Sequence, residues 1–272
     1  MQLSAREDEP TIDIGHSLLK GGVLHLWLVE GISDDSTEGV LTMSDLHPSW
    51  RQDPGSVEYE YSWGRGYVLR ASARAHADHV DLHLRFTNGS ERELSNAKAD
   101  PCLQFKDASL FRDSEGEKSL VFHGKEPIRV CDTRRYTYPG WWRNVQCYAL
   151  EGSHVQTCEG FLVPYRGTMK GRWGVSPDLV GSGLIAVQRA DGKAVVGFAF
   201  ENVRYVSKNY NDSHHCIHST PYFGNLRKGE ECSATGRIWF CDGTPDDLVR
   251  LHAGWIGRMA EAANKAIDRD KK

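Results

Sequence analysis

Residues 183–200 read GLIAVQRADGKAVVGFAF, two apolar runs joined by the dipeptide Asp191-Gly192. Short runs rich in valine, isoleucine and phenylalanine are typical of buried strands. A two-residue type I′ turn needs a positive φ at both central positions, and aspartate and glycine tolerate this conformation. An Asp-Gly pair between two such runs therefore favours a type I′ turn. The stretch therefore predicts a β-hairpin with strands over 183–190 and 193–200.

Alternation of apolar and polar residues extends this prediction to most of the chain. Residues 79–87, HVDLHLRFT, and residues 56–63, SVEYEYSW, place apolar side chains on one strand face and polar ones on the other. Further strand candidates lie at 22–29, 66–73, 119–123, 128–131, 144–149 and 235–241. We expect an all-β fold, a large antiparallel β-sandwich of the supersandwich type.

The C-terminal region breaks the strand pattern. Residues 244–248, TPDDL, combine an N-cap threonine, a proline at the first helical position and two acids in the first turn. Apolar residues then follow at spacings of three and four, namely Leu248, Leu251, Trp255, Met259 and Ala263. This stripe predicts an amphipathic helix over about 245–267, laid against the sheets of a single 1–272 domain.

Composition excludes several classes of partner. The formal net charge of −4 offers no basic field for a phosphate backbone, so we expect no nucleic-acid partner. No apolar run approaches the roughly 20 residues that cross a bilayer, so we expect no membrane partner. Seven cysteines without a CxxC motif and a polar start predict a cytoplasmic protein; a secreted or periplasmic one stays open if a signal peptide was removed. The oligomeric state stays open.

The C-terminal third carries a family resemblance. Residues 222–230, YFGNLRKGE, then 236–240, GRIWF, and 243–248, GTPDDL, resemble the closing segment of galactose-mutarotase-like, or supersandwich, domains. The strand 80–86 with the TNGS that follows it is similar to a strand and turn of the same domains. The resemblance implies a supersandwich fold and a carbohydrate substrate, and it includes no diagnostic catalytic signature.

One polar stretch contains the residue types that sugar chemistry needs. Residues 207–226 read SKNYNDSHHCIHSTPYFGNL. Proton transfer at a sugar carbon needs an acceptor that titrates near neutrality and a donor for the leaving oxygen. We expect His218 or His215 to abstract the proton, Tyr210 to act as the acid, and Asn209 or Arg143 to offset the substrate's negative charge. The alternative is a polar loop whose imidazoles cap turns.

A second stretch favours a sugar-binding surface. Residues 134–143 read RRYTYPGWWR. Sugar rings stack on indole and phenol rings, and arginine binds a carboxylate through two parallel hydrogen bonds. The expected substrate-binding residues here are Arg135, Tyr138, Trp141, Trp142 and Arg143. The alternative is that both tryptophans fill the end of the core. Three arginines beside four aromatic rings favour an anionic carbohydrate.

A third polar set follows the strand over 79–87 and the strands beside it. It comprises Arg70, Arg74, His76, His79, Asp81, His83 and Arg85. Alternating charges are ordinary on a sheet face that meets water, whereas on a concave sheet the same residues would line a cleft. Glu58 and Glu60 share a strand face and are candidates for a pair of glycosidase carboxylates.

These patterns favour a carbohydrate-active enzyme of the polysaccharide lyase or sugar epimerase class that uses acid–base chemistry on an acidic poly- or oligosaccharide. Lyase-type β-elimination is the favoured reaction. A non-catalytic carbohydrate-binding domain is one alternative. A metal-dependent β-sandwich enzyme using His214, His215 and His218 is another. No cofactor is predicted, because the side chains of His214 and His215 point apart on an extended chain. No GxGxxG, phosphate-loop, GxSxG or HExxH motif is present.

Overall fold

The computed structural model describes residues 1–7, 9–35, 40–42, 46–64, 66–134, 145–153, 161–162, 173–210 and 214–270. The first strands are β1 (Gln2–Ala5), β2 (Thr11–Gly15), β3 (Val23–Trp27), β4 (Gly31–Ser33), β5 (Leu41–Thr42), β6 (Trp50–Asp53), β7 (Ser56–Trp63), β8 (Tyr67–Ala75), β9 (His79–Thr87) and β10 (Leu94–Ala99). They are followed by β11 (Cys102–Asp107), β12 (Ser119–His123), β13 (Glu126–Arg129), β14 (Val145–Ala149), β15 (Phe161–Leu162), β16 (Trp173–Val175), β17 (Ile185–Gln188), β18 (Val195–Phe200), β19 (Val203–Asn209), β20 (Cys216–Leu226) and β21 (Glu231–Cys241). Helix α1 spans Pro245–Asp270.

The strands form two sheets. Sheet I has the order β1-β2-β3-β11-β20-β19-β14-β16-β15, and β10 connects β20 to β4 and β5. Sheet II has the order β13-β12-β17-β18-β21-β9-β8-β7-β6. Strand pairs are antiparallel in the described part of the chain, apart from the parallel pair β14 and β16. The predicted fold class, an all-β sandwich with a C-terminal helix, is confirmed.

The apolar faces of the two sheets share one core. Leu82, Leu84 and Phe86 of β9 are buried in the same cluster as Leu24 and Leu26 of β3. The residues that alternate with them point to the other surface of each sheet, as the two-residue period of a strand requires. Each sheet therefore has one core-facing surface and one surface on which polar groups gather.

The hairpin predicted from residues 183–200 forms, but its turn differs from the expected type. Gln188 pairs with Val195, and the N–H of Arg189 donates to the carbonyl of Ala194 at 2.8 Å. Gly192 has a φ of +73°, whereas Asp191 is not among the described residues with positive φ. The Asp191 carboxylate accepts a hydrogen bond from the Lys193 N–H and thereby fixes the turn in this form.

Helix α1 covers part of the outer surface of sheet II. Thr244 caps its N-terminus, because its hydroxyl oxygen accepts from the Asp247 N–H at 3.4 Å and its own N–H donates to the Asp247 carboxylate at 2.8 Å. Leu248 and Trp255 are buried against the sheet. A Cβ atom on Gly197 of β18 would lie 2.6 Å from Leu248 Cδ1, so the glycine permits this close approach.

The buried stripe of α1 differs from the predicted one at a single turn. Leu251 is 41% exposed, and the ring of His252 instead packs edge-on against Trp239, with centroids 5.7 Å apart. The inward positions Leu248, His252, Trp255 and Met259 follow the 3.6-residue helical period more closely. The side chain of Ala263 lies outside the described residues. Nowhere in the described chain is a helix long and apolar enough to cross a membrane.

Candidate active site

The outer surface of sheet I carries an unusual set of buried polar side chains. On the adjacent strands β11, β20 and β19, Gln104 pairs with Cys216, and His218 pairs with Ser207. Their strand neighbours Leu103 and Ile217 point into the core, so the polar residues project from the opposite surface. We call this surface the polar face; its residues are Cys102, Gln104, Ser207, Cys216, His218 and Thr220, each at most 2% exposed.

A cysteine and a histidine are in hydrogen-bond contact on this face. Cys216 Sγ lies 3.3 Å from His218 Nε2. Burial opposes the imidazolium form, but the charge and hydrogen bond of Cys216 outweigh it and raise the pKa of His218 to about 9. Burial also opposes the Cys216 thiolate, yet hydrogen bonding from Cys102 and the positive charge of His218 hold the pKa of Cys216 well below its usual value.

Glu30 joins this pair from the segment just before β4. Its backbone N–H donates to the carbonyl of Asp100 at 2.8 Å, and its carboxyl group lies beside the thiol of Cys102. Burial raises the pKa of Glu30 to about 7, and the neighbouring His218 charge partly opposes that rise. Glu30 is partly exposed, unlike the residues behind it. It is therefore the most exposed titratable group of this cluster.

The same face presents hydrogen-bond acceptors. Asp100 is 1% exposed, and its Oδ1 accepts hydrogen bonds from the Thr220 hydroxyl at 3.0 Å and the Tyr205 hydroxyl at 3.2 Å. Neither Asp100 Oδ2 nor Gln104 Oε1 has a hydrogen-bond partner in the described part of the chain. Buried acceptors are usually satisfied, so a donor from an ordered water molecule or a ligand is expected at these two atoms.

Three charged side chains, Arg204, Lys98 and Asp35, lie next to these acceptors. Arg204 Nη2 lies 3.4 Å and Lys98 Nζ 4.0 Å from the same carboxylate oxygen of Asp35. The Arg204 guanidinium also lies over the ring of Tyr222, 5.3 Å from its centroid. Burial lowers the pKa of Lys98, although the nearby acids oppose this. Both cations therefore share a single acid, Asp35.

Three donor atoms of the cluster also meet the distance requirement for one metal ion. The sulfur atoms of Cys102 and Cys216 and a ring nitrogen of His218 lie within 4.8 Å of one another. Thiolate and imidazole groups are ligands that zinc prefers. A metal ion and the thiolate–imidazolium pair are mutually exclusive occupants, because an ion would need the nitrogen atom that carries the proton.

The structure separates the residues predicted in the imidazole-rich stretch. His218 lies on the polar face, whereas Tyr210 belongs to the buried core cluster on the other side of sheet I. His215 is buried and has a φ of +47°, and the ring of His214 packs edge-on against Trp27 at 5.8 Å. Asn209 ends β19, and its carbonyl accepts from Lys208 Nζ at 2.9 Å.

Consequently, His214, His215 and His218 do not form a common metal group. In the described ranges, the sets of donor atoms that meet within 4.8 Å are Cys102 with Cys216 and His218, and His76 with His79 and Asp81. The predicted substrate-binding residues Arg135, Tyr138, Trp141, Trp142 and Arg143 lie outside the described residues. Their place relative to the polar face stays a prediction.

The third polar set lies on the outer surface of sheet II, beside α1. A groove of about 490 Å³ runs over β6 to β9 and is lined by Ser49, Arg51, Glu58, Tyr59, Glu60, Arg70, Ala71, Ser72, His83 and Arg85. Glu58 pairs with Arg51 at 2.8 Å, and Glu60 pairs with Arg70 at 2.5 Å. Each carboxylate is thus neutralised by its own arginine on a solvated sheet face.

Sequence reasoning overlooked three members of the cluster. Cys216 and His218 stand two apart on a strand, and this spacing alone places both side chains on one face. Glu30 and Cys102 carried no local signal. They reach His218 only because β11 pairs with β20 and because residues 30 and 100 share a backbone hydrogen bond.

Comparison with known proteins gives architectural similarity only. No protein-family model matches the sequence, and no curated protein matches it. The Slr1438 protein from Synechocystis sp. PCC 6803 is 8% identical, with a TM-score of 0.45, over 81% of this chain and 78% of its own. A putative aldose 1-epimerase from Escherichia coli K12 is 9% identical, with a TM-score of 0.41, over 72% and 69%. A galactose mutarotase-like protein from Clostridium acetobutylicum is 7% identical, with a TM-score of 0.39, over 71% and 65%. The similar structures thus include the class that the sequence resembles.

Proposed function

We propose that the protein is a carbohydrate-active enzyme that transfers protons on the polar face of sheet I. Glu30 is the base and His218 the acid of this proposal. The observation that carries it is the packing of Glu30 and His218 into one cluster with Cys102 and Cys216, in which the pKa of Glu30 is raised to about 7 and that of His218 to about 9. Clusters of buried titratable groups with shifted pKa values are typical of acid–base sites.

Between these two pKa values the site holds both forms that catalysis needs. The Glu30 carboxylate accepts a proton from a substrate hydroxyl or C–H group, and the His218 imidazolium returns one to the oxygen that gains negative charge. The Cys216 thiolate keeps His218 protonated in a buried setting. After turnover the two protons are exchanged with solvent through the partly exposed Glu30.

The acceptors of the polar face favour a hydroxyl-bearing substrate. Asp100 Oδ2 and Gln104 Oε1 lack donors in the described residues, and a sugar presents several hydroxyl groups that can donate to such atoms. The aromatic and arginine side chains of residues 135–143 remain our candidates for stacking on the sugar ring. An anionic sugar would pair with Arg143 of that segment.

Epimerase-type proton transfer fits the described residues better than β-elimination. Elimination next to a uronate needs a cation that neutralises the substrate carboxylate. The cations that border the described polar face, Lys98 and Arg204, both contact Asp35. Interconversion of the two anomers of a sugar needs only a base and an acid, and in this proposal Glu30 and His218 supply them.

The test is a panel of neutral and uronic sugars, read by NMR for anomeric exchange and by ultraviolet absorbance for unsaturated uronate. Glu30→Gln keeps the size of the side chain and removes the base, so we expect kcat to fall by about 10²–10⁴-fold. Glu58→Gln, on the exposed face of sheet II, is the matched control and should retain activity. Full activity of Glu30→Gln would refute the assignment.

Two rival functions are decided by further readouts. Sugar binding that survives in Glu30→Gln, with no turnover by the wild-type protein on any sugar, would indicate a non-catalytic carbohydrate-binding domain. Stoichiometric metal in the purified protein that disappears in Cys102→Ser would indicate a metal-dependent enzyme instead. Absence of metal together with a Glu30-dependent rate supports the acid–base site.

A further inference from the structure

We propose a second site, independent of the polar face, that binds a divalent transition-metal ion through His76, His79 and Asp81. These residues lie at the tight turn between β8 and β9, at one edge of the outer surface of sheet II. The His76 N–H donates to the His79 carbonyl at 2.8 Å, which closes the turn. The Phe240 N–H donates to the Asp78 carbonyl at 2.8 Å and ties the turn to β21.

The three donor atoms converge. Asp81 Oδ2 lies 3.1 Å from His76 Nε2 and 3.7 Å from His79 Nε2. Around a zinc ion with bonds of about 2.0–2.2 Å, neighbouring ligand atoms are separated by roughly 3.0–3.6 Å. The distance from Asp81 Oδ2 to His76 Nε2 is already in this range. A small rotation of the His79 ring would bring the distance from Asp81 Oδ2 to His79 Nε2 into it as well.

The outer contacts of two of these residues hold their inner atoms toward the same point. His79 Nδ1 donates to Asp78 Oδ1 at 2.7 Å. Arg237 donates from Nε and Nη2 to Asp81 Oδ1, at 2.7 and 2.6 Å. Hydrogen bonds of this kind fix the ring orientation and tautomer of metal-binding histidines and orient ligating carboxylates.

The two imidazole rings are held in one orientation. The His76 ring stacks on the His79 ring, with centroids 4.3 Å apart and planes 9° apart. The Nε2 atoms of both rings lie within 3.7 Å of Asp81 Oδ2. A single metal ion between the three atoms would therefore contact all of them.

Exposure and ligand type define what the site binds. The side chains of His76, Asp81 and His79 are 38%, 33% and 18% exposed, so an ion can enter from solvent. Two imidazoles and one carboxylate suit zinc and its first-row neighbours rather than magnesium or calcium. An adjoining groove of about 330 Å³, lined in part by Arg74 and Arg258, leaves the remaining coordination positions open to water or a small anion.

The test is calorimetric titration of the chelator-treated full-length protein with zinc chloride. We expect one binding event that weakens at least tenfold in His76→Ala, whose exposed side chain is dispensable for folding, and by about 10–100-fold in Asp78→Asn. His83→Ala, on the same face of β9 but outside the group, is the matched control and should bind as the wild-type protein does.

Cobalt substitution separates this site from the cysteine cluster. Cobalt at His76, His79 and Asp81 should give visible absorption without a sulfur charge-transfer band, and the signal should persist in Cys216→Ser. The proposal is overturned if the wild-type protein takes up no zinc, if His76→Ala binds zinc with wild-type affinity, or if uptake is lost in Cys216→Ser alone.

Discussion

Gly197 lies on β18 where α1 crosses sheet II, and replacing it with alanine should loosen the helix from the sheet. The new Cβ atom would meet Leu248 Cδ1 at 2.6 Å, Cδ2 at 2.8 Å and Cγ at 3.2 Å. Contacts this short force the leucine out of its buried position. Overpacking of this kind costs about 1–3 kcal/mol in the free energy of unfolding.

A double-mutant cycle isolates the contact. Leu248→Ala removes a fully buried side chain and should cost about 2–5 kcal/mol. It also removes all three clashing atoms, so adding Gly197→Ala to it should cost little more. The double variant should therefore be more stable than the sum of the single effects predicts, by about 1–3 kcal/mol.

Urea unfolding followed by tryptophan fluorescence measures each free energy. Gly257→Ala is the matched control, because Gly257 is exposed on the same helix with no atom near its Cβ position. There the substitution should stabilise the protein by up to about 1 kcal/mol through helix propensity. Additive effects of Gly197→Ala and Leu248→Ala, within about 0.5 kcal/mol, would refute the packing of α1 described above.

Three further predictions concern single groups. Asp113 accepts hydrogen bonds from the backbone N–H groups of four residues, 116–119, so Asp113→Asn should lower the unfolding free energy by about 2–3 kcal/mol in urea melts. Burial lowers the pKa of His252 to about 4, so the unfolded chain binds more protons than the folded one between about pH 6.5 and pH 4. The free energy of unfolding should therefore decrease as the pH is lowered through this range, and it should decrease less in His252→Gln. The kcat/KM of the enzyme should rise with pH through about 7 as Glu30 ionises and fall through about 9 as His218 loses its proton; a profile flat over this range would contradict the roles of both.

The sequence predicts the fold correctly where the pattern of apolar and polar residues lies within a single strand or helix. Alternation in residues 79–87 predicts which residues of β9 face the core, and the cap at Thr244 predicts where α1 begins. The turn at Asp191 departed from its expected type because the side chain hydrogen-bonds the backbone of Lys193. The stripe of α1 departed at Leu251 because helix orientation is set by the sheet beneath it.

The candidate site was only partly accessible because it is built by topology. His218 was expected to act in catalysis, and its two-residue spacing from Cys216 was the remaining local clue. Glu30 and Cys102 come from distant segments that meet His218 only through sheet pairing, which no local pattern encodes. Tyr210 shares a short stretch with His218, yet sheet I separates their side chains, because nearness in sequence does not specify a strand face.

The protonation state of His218 tests the proposed acid–base site most directly. NMR titration of its imidazole shifts should give a midpoint of about 9 in the wild-type protein. The midpoint should fall markedly in Cys216→Ser, where burial is no longer opposed by the thiolate. An imidazole that is already neutral at pH 7 in the wild-type protein, or one whose midpoint is unchanged in Cys216→Ser, would contradict the thiolate–imidazolium pair on which the proposed chemistry depends.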